Sequence, residues 1–127
     1  MNIIKDHSYE ELVDVLKTYM APEYIEFINK YYEQAKIVYA GMKRETGEDY
    51  IYHPINVAYI LADLKMDPVT IACALIHEAI TLGKMTYEEV EEMFGTESAN
   101  IINSITKISN LKQTFKINNP EKYRRII

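Results

Sequence analysis

Apolar residues recur at spacings of three and four along most of the chain, which is the period of an amphipathic helix. No stretch of useful length alternates apolar and polar residues as a half-buried strand does. Predicted helices cover approximately residues 8–19, 22–44, 53–64, 67–82, 86–94 and 96–108, and a further helix begins at Pro120. The sequence therefore predicts an all-α bundle of about six to seven helices.

Local signals mark the ends and the environment of these helices. Two pairs of residues have the spacing of a capping box, in which a hydroxyl and a carboxylate satisfy free N–H groups at a helix start: Ser8 with Glu11, and Thr86 with Glu89. The run from Pro68 to Leu82 is apolar almost all round, which indicates a helix at the centre of the domain. Residues 110–120 are polar and poorly patterned, so we expect a loop there.

Composition narrows the class of protein. A chain of 127 residues, 48% hydrophobic and 26% charged, fits one small domain over residues 1–127. The net charge of −5 argues against a dedicated DNA-binding protein. A single cysteine, Cys73, excludes an internal disulfide and suits a reducing compartment. The longest apolar run, residues 71–76, is far shorter than the roughly 20 residues that span a bilayer. With no signal peptide at its start, we expect a soluble cytoplasmic domain that binds neither DNA nor membrane.

The charge is unevenly distributed along the chain. Residues 1–100 carry eight basic and eighteen acidic side chains, a net charge of −10. Residues 101–127 carry six basic and one acidic side chain, a net charge of +5. A basic segment of this kind suits contact with an anionic partner. A solvated face that merely balances an acidic body is the other interpretation.

Two histidines and one carboxylate are the first candidates for chemistry. His77 lies in the apolar run, so we expect its imidazole to be buried and to need a partner. His53 opens the preceding helix, and Glu78 directly follows His77. Two imidazoles and a carboxylate are a partial ligand set for manganese, iron or zinc. Histidines that are satisfied within the core are the alternative.

Two cations before a polar loop are the second candidates. Lys43 and Arg44 end a predicted helix, where positive charge complements the helix dipole without any ligand. A guanidinium beside the loop at 45–50 is equally suited to stack on a purine or to bind a phosphate through two N–H groups.

The run from Arg44 to Pro54 (RETGEDYIYHP) resembles a signature of the RelA/SpoT homologues, the bacterial enzymes of the stringent response. The resemblance covers about residues 30–127 and continues in consistent order through residues 57–64, 71–77, 94–95, 105–108 and 121–125. It implies an HD-type helical domain. In the family this domain removes the 3′-pyrophosphate from guanosine tetraphosphate and pentaphosphate, usually with manganese.

The resemblance also implies roles for individual residues. His53 and His77 stand at metal-ligand positions, and Arg44 and Thr46 stand where the family contacts the guanine base. Glu78 occupies the place of an aspartate ligand and is one methylene longer, although it remains a competent oxygen donor.

Other features of the resemblance imply lost chemistry. Active members carry a Glu-Asp pair, thought to act on the attacking water, where this chain has Thr81 and Leu82. Threonine is no general base near neutral pH, and leucine does not titrate. The sequence also lacks the family's next helix, which supplies the last aspartate ligand, and the synthetase domain that often follows. We therefore expect a degenerate, apparently truncated hydrolase domain in which manganese occupancy is doubtful.

Three functions follow as hypotheses. The first is a hydrolysis-deficient RelA/SpoT-type domain with a regulatory or structural role. The second is a metal-dependent pyrophosphohydrolase with residual activity, in which Glu78 is a ligand and Glu48 or Asp49 is the base. The third is a helical interaction module in which His53 and His77 are structural, and histidines far apart in the structure would favour it. A bare apolar face left by a missing helix would also favour self-association or pairing with the absent segment.

Overall fold

A computed structural model of the protein describes residues 6–118, with side chains described as far as residue 107. It contains α1 (Tyr9–Lys17), α2 (Pro22–Val38), α3 (Tyr52–Asp63), α4 (Pro68–Thr81), α5 (Tyr87–Phe94) and α6 (Thr96–Asn118). Over these residues there is no strand, only an isolated antiparallel bridge between Lys43 and Asp49. The all-α prediction is therefore confirmed. The helix predicted from Pro120 lies outside the described residues.

The helices divide into two compact units, Met1–Thr86 and Tyr87–Ile127. In the first unit α4 packs against both α2 and α3, and α1 packs against α2 and α3. In the second unit α5 packs against α6, with Val90 and Ile102 fully buried. A single domain over residues 1–127 stays a prediction.

Helix α4 is the centre of the first unit, as its apolar pattern predicts. All six residues from Ile71 to Ile76 are buried, and Ile71, Leu75 and Ile76 have no exposed surface. Burying one large aliphatic side chain stabilises the fold by about 1.5–3 kcal/mol. This burial fixes the position of α4, and with it the positions of His77 and Glu78, which follow the buried run. Among the described helices, none is long and apolar enough to cross a membrane.

The start of α1 has the predicted capping box. The Glu11 backbone N–H donates to the Ser8 hydroxyl over 3.1 Å, and the Ser8 N–H donates to the Glu11 carboxylate over 3.2 Å. Both bonds satisfy N–H groups that a helix start leaves free.

Two predicted helix ends are wrong. Helix α2 ends at Val38 rather than near Arg44, because Gly41 adopts a left-handed backbone conformation with φ +78° that a helix does not allow. Helix α6 continues to Asn118 instead of ending near Ile108. The segment expected to be a loop contains no glycine or proline before position 120, and its lysines and glutamine are good helix formers.

The loop between α2 and α3 is folded back on itself. The Arg44 N–H donates to the Glu48 carbonyl over 2.8 Å, and the Tyr50 N–H donates to the Met42 carbonyl over 2.9 Å. Gly47 reverses the chain with φ +98°, a conformation that glycine adopts without steric cost. These bonds bring the loop to the start of α3, where His53 lies.

Candidate functional site

His53, His77 and Glu78 come together where α3 packs against α4. His53 Nε2 lies 2.7 Å from Glu78 Oε1, and His77 Nε2 lies 4.0 Å from the same oxygen. The packing of the two helices therefore brings residues far apart in sequence to one carboxylate. The structure therefore lacks the wide separation of His53 and His77 that would favour a simple interaction module.

Tyr50 is a member of this cluster that the sequence analysis missed. Its hydroxyl donates a hydrogen bond to Glu78 Oε2. Its ring meets the His53 ring edge-on, with the centroids 5.8 Å apart. Tyr50 lies three residues before His53 in the motif that carries the family resemblance, and this position was a signal in the sequence for a place in the site.

His77 is partly satisfied within its own helix. Its Nδ1 lies 3.1 Å from the Ala74 carbonyl oxygen, which is a hydrogen bond when the proton is on Nδ1. In that tautomer Nε2 is an acceptor on the side of Glu78.

The electrostatics of the cluster favour an ion pair. Burial alone would raise the pKa of Glu78, but hydrogen bonds from His53 and Tyr50, with the charges of the two histidines, lower it overall. The hydrogen bond to Glu78 raises the pKa of His53 against the opposing effect of burial. Burial and the nearby carboxylate raise the pKa of Tyr50, so its hydroxyl stays a neutral donor. The lowered pKa of Glu78 and the raised pKa of His53 both favour a His53 cation beside a Glu78 anion.

An open cleft of about 620 Å³ borders this cluster. Its lining residues are Lys43, Arg44, Glu45, Thr46, Tyr50 and His53. The two residues predicted to contact a nucleotide, Arg44 and Thr46, therefore share one cleft with His53. A volume of this size is typical of sites for small ligands.

The side chains of Arg44 and Thr46 already have partners within the protein. Arg44 Nη2 lies 2.5 Å from a carboxylate oxygen of Asp6 and 3.9 Å from Glu48. The Thr46 hydroxyl donates to the Glu48 carboxylate. The contact with Asp6, which precedes α1, was not predicted, because nothing in the sequence pattern links these two positions.

The two predicted replacements of acidic residues lie at the end of α4. Thr81 is its last residue and is exposed, and Leu82, the C-cap, is 40% exposed. Positions three and four residues after Glu78 lie on the same side of a helix as Glu78. Neither side chain brings a titratable group to the cluster.

The three predicted metal ligands do not fit an open metal site as they are placed. Both oxygens of Glu78 are hydrogen-bonded, one by His53 and the other by Tyr50. A metal of the zinc type needs donors that converge on one point about 2.0–2.3 Å from each. Within the described part of the chain, no group of three His, Cys, Asp or Glu residues is arranged to hold a metal ion. His53, His77 and Glu78 as ligands stay a prediction, and the geometry favours an internal ion pair.

Comparisons with known proteins give the family context. The family model for the HD domain matches residues 32–126. A guanosine-3′,5′-bis(diphosphate) 3′-pyrophosphohydrolase of Aquifex aeolicus is 42% identical over 118 residues, which are 93% of this chain and 16% of that protein. The bifunctional (p)ppGpp synthase/hydrolase SpoT of Escherichia coli is 33% identical over 94% of this chain and 17% of that protein. A GTP pyrophosphokinase of Myxococcus xanthus is 33% identical over 92% of this chain. The chain thus spans about a sixth of the length of these relatives.

Proposed function

The chain belongs to the HD-domain family and is homologous over most of its length to RelA/SpoT-type enzymes, and from that premise we propose that it binds a guanosine 3′,5′-bis(diphosphate) without hydrolysing it efficiently. Its role is then regulatory or structural. The observation that carries the proposal is the Glu78 carboxylate, which His53 and Tyr50 bind from two sides next to the cleft.

The lining of the cleft supports nucleotide binding. The Arg44 guanidinium offers planar N–H groups that suit a purine face or a phosphate. The Thr46 hydroxyl adds a short polar group on the same wall. His53 contributes positive charge when it is protonated, which its raised pKa favours. A ligand with a planar base and several phosphates matches this combination.

The cluster of His53, Tyr50 and Glu78 supports the proposal that hydrolysis is inefficient. Attack of water on a pyrophosphate needs a base that accepts the proton of the water. It also needs positive charge close to the phosphoryl oxygens. Glu78 is a weak base because its pKa is lowered, and its negative charge is paired with His53. Thr81 and Leu82 supply no base. A divalent metal would supply the missing charge, but the placed residues do not offer it a free carboxylate.

Residual metal-dependent pyrophosphohydrolase activity is the second candidate. The observation that favours it is that His53, which lines the cleft, is paired with the Glu78 carboxylate, so that an acid and a base lie close to the cleft. Of the carboxylates considered as the base, Glu48 is bound by Thr46 and Asp49 lies 2.5 Å from Lys43 Nζ. This candidate therefore depends on those contacts opening when a nucleotide binds.

Calorimetry with guanosine tetraphosphate tests the proposal. We expect the wild-type protein to bind, Arg44→Ala to bind about tenfold more weakly, equivalent to ~1.4 kcal/mol, and the control Lys36→Ala to bind like wild type. Lys36 is an exposed cation on α2 that pairs with Glu33. Absence of binding to the wild-type protein contradicts the proposal.

Pyrophosphate release separates the two candidates. With manganese present, we expect the wild-type protein to release pyrophosphate little faster than buffer. Release well above buffer that disappears in His77→Ala favours the hydrolase. Release that persists in His77→Ala comes from a contaminant.

A further inference from the structure

Asp6, in the segment that precedes α1, contacts Arg44 in the loop between α2 and α3. Asp6 Oδ2 lies 2.5 Å from Arg44 Nη2, and both side chains are about three-quarters buried. The other oxygen of Asp6 accepts a hydrogen bond of 2.9 Å from the side-chain amide of Asn56 on α3. Asp6 is therefore held between α3 and the guanidinium.

The anchoring of this segment on α3 does not depend on Arg44. The Asn56 side-chain oxygen accepts the His7 backbone N–H over 2.9 Å, so one amide binds both Asp6 and its neighbour. The His7 ring stacks on Tyr59 with centroids 3.6 Å apart and planes 5° from parallel. The His7 Nδ1 also lies 3.2 Å from the Glu11 carboxylate. The segment thus presents Asp6 from a fixed position.

Arg44 has few other restraints. Its Nε is buried and has no hydrogen-bond partner among the described residues, which disfavours this conformation by about 1–3 kcal/mol unless other contacts compensate. Its contact with Glu48 is long, at 3.9 Å. A free arginine side chain loses about 2 kcal/mol of rotamer entropy when it is fixed. Asp6 is the close contact that holds the guanidinium in place at the cleft wall.

We propose that Asp6 is a positioning residue for Arg44, which it fixes at the wall of the cleft so that the remaining guanidinium N–H groups are ready for a guanosine nucleotide. The identity of the ligand rests on the proposed function. Because the carboxylate restrains Arg44 before the ligand arrives, less conformational entropy is lost on binding. Asp6 is charged at neutral pH, since the hydrogen bond from Asn56, and then the contact with Arg44, lower its pKa against the effect of burial.

The opposite arrangement is a carboxylate that competes with an anionic ligand for Arg44. The two arrangements differ in sign, because loss of a positioning group weakens ligand binding and loss of a competitor strengthens it. Affinity for guanosine tetraphosphate in Asp6→Asn therefore decides between them. Asp14→Asn is the matched control, since Asp14 is an exposed acidic residue on α1.

We expect Asp6→Asn to bind guanosine tetraphosphate about tenfold more weakly than wild type and Asp14→Asn to bind it equally well. In the Arg44→Ala background, Asp6→Asn should cause no further loss, because its effect acts through Arg44. Equal or tighter binding by Asp6→Asn overturns the proposal. So does a full additional loss in the Arg44→Ala background.

A measurement without ligand keeps this test separate from the proposed function. Hydrogen exchange of the Arg44 Nη2–H groups, followed by NMR, should be slow in the wild-type protein and in Asp14→Asn, and about tenfold faster in Asp6→Asn, because Nη2 is the atom that Asp6 contacts. Equal exchange rates overturn the positioning role. If the wild-type protein does not bind guanosine tetraphosphate, the proposed function fails, and the exchange rates still decide whether Asp6 restrains Arg44.

Discussion

At the level of single residues, the two partners of the Glu78 carboxylate define the cluster. The side chain extends far enough for one oxygen to meet His53 and the other to meet Tyr50. Only 18% of it is exposed, so an unpaired carboxylate here would be costly. The histidine and the tyrosine therefore stabilise a charge that the resemblance assigns to metal binding.

Removing the Tyr50 hydroxyl should destabilise the protein. Tyr50→Phe deletes a donor to a largely buried carboxylate, and such a loss costs about 1–3 kcal/mol. Tyr24→Phe is the control, because Tyr24 is half exposed. Urea unfolding near neutral pH measures both variants. An equal free energy of unfolding for the two variants contradicts the role given to Tyr50.

The His53–Glu78 pair should make stability depend on pH. The folded pKa of His53 is raised above its ordinary value of 6.5, so its contribution is fully present below that value and is lost as the pH rises through the folded pKa. The folded pKa of Glu78 is lowered from 4.5, so its contribution is lost as the pH falls through that folded pKa. We expect the urea concentration at the midpoint of unfolding to fall as the pH is raised from mildly acidic to alkaline values.

Glu78→Gln identifies the source of that pH dependence. The variant lacks the charge that raises the pKa of His53, so its alkaline decline should be much smaller than that of the wild-type protein. Glu88→Gln, at an exposed position on α5, should keep the wild-type profile. A wild-type profile in Glu78→Gln would show that another group is responsible.

At the level of elements, the predictions succeeded where burial determines structure and failed where backbone conformation does. The apolar run of α4 could only be central, and its six buried residues confirm this. The end of α2 was missed because the residues after Val38 still include good helix formers. Gly41 interrupts them through its left-handed backbone angle, and the glycine itself was the signal in the sequence for a helix end.

Gly41→Ala tests this explanation for the end of α2. In the part of the chain that the structure describes, nothing lies within 4 Å of a methyl group placed there, so the expected cost comes from the left-handed backbone. We expect Gly41→Ala to lower the free energy of unfolding by about 1–2 kcal/mol. Gly41→Asn should cost less, because asparagine tolerates this conformation better. Equal effects of the two substitutions in thermal unfolding contradict the explanation.

At the level of the whole molecule, the sequence predicted which residues meet but not how they are paired. The ordered resemblance placed His53, His77 and Glu78 in one site, and the structure brings them together. Tyr50 and Asp6 were missed because their contacts depend on how a loop and the segment before α1 fold back. Asp6 and Arg44 are 38 positions apart and share no periodic pattern. Such polar contacts follow from tertiary structure alone.

The pairing inside the cluster predicts how the whole molecule responds to metal. A ligand present at a hundred times its Kd raises the free energy of unfolding by about 2.7 kcal/mol, which moves the Tm of a chain of this size by several degrees. Because His53 and Tyr50 occupy both oxygens of Glu78, we expect millimolar manganese to leave the wild-type Tm within about 1 °C of its value in EDTA.

Glu78→Asp is the variant that makes this result informative. A shorter carboxylate cannot reach His53 and Tyr50 together as Glu78 does, so it should leave an oxygen free for the metal. We expect manganese to raise the Tm of Glu78→Asp more than that of the wild-type protein, and His77→Ala in the same background to remove the rise. A manganese-dependent rise in the wild-type protein that His77→Ala abolishes would mean that the metal displaces the ion pair, and the residual hydrolase would then be the better account of the site.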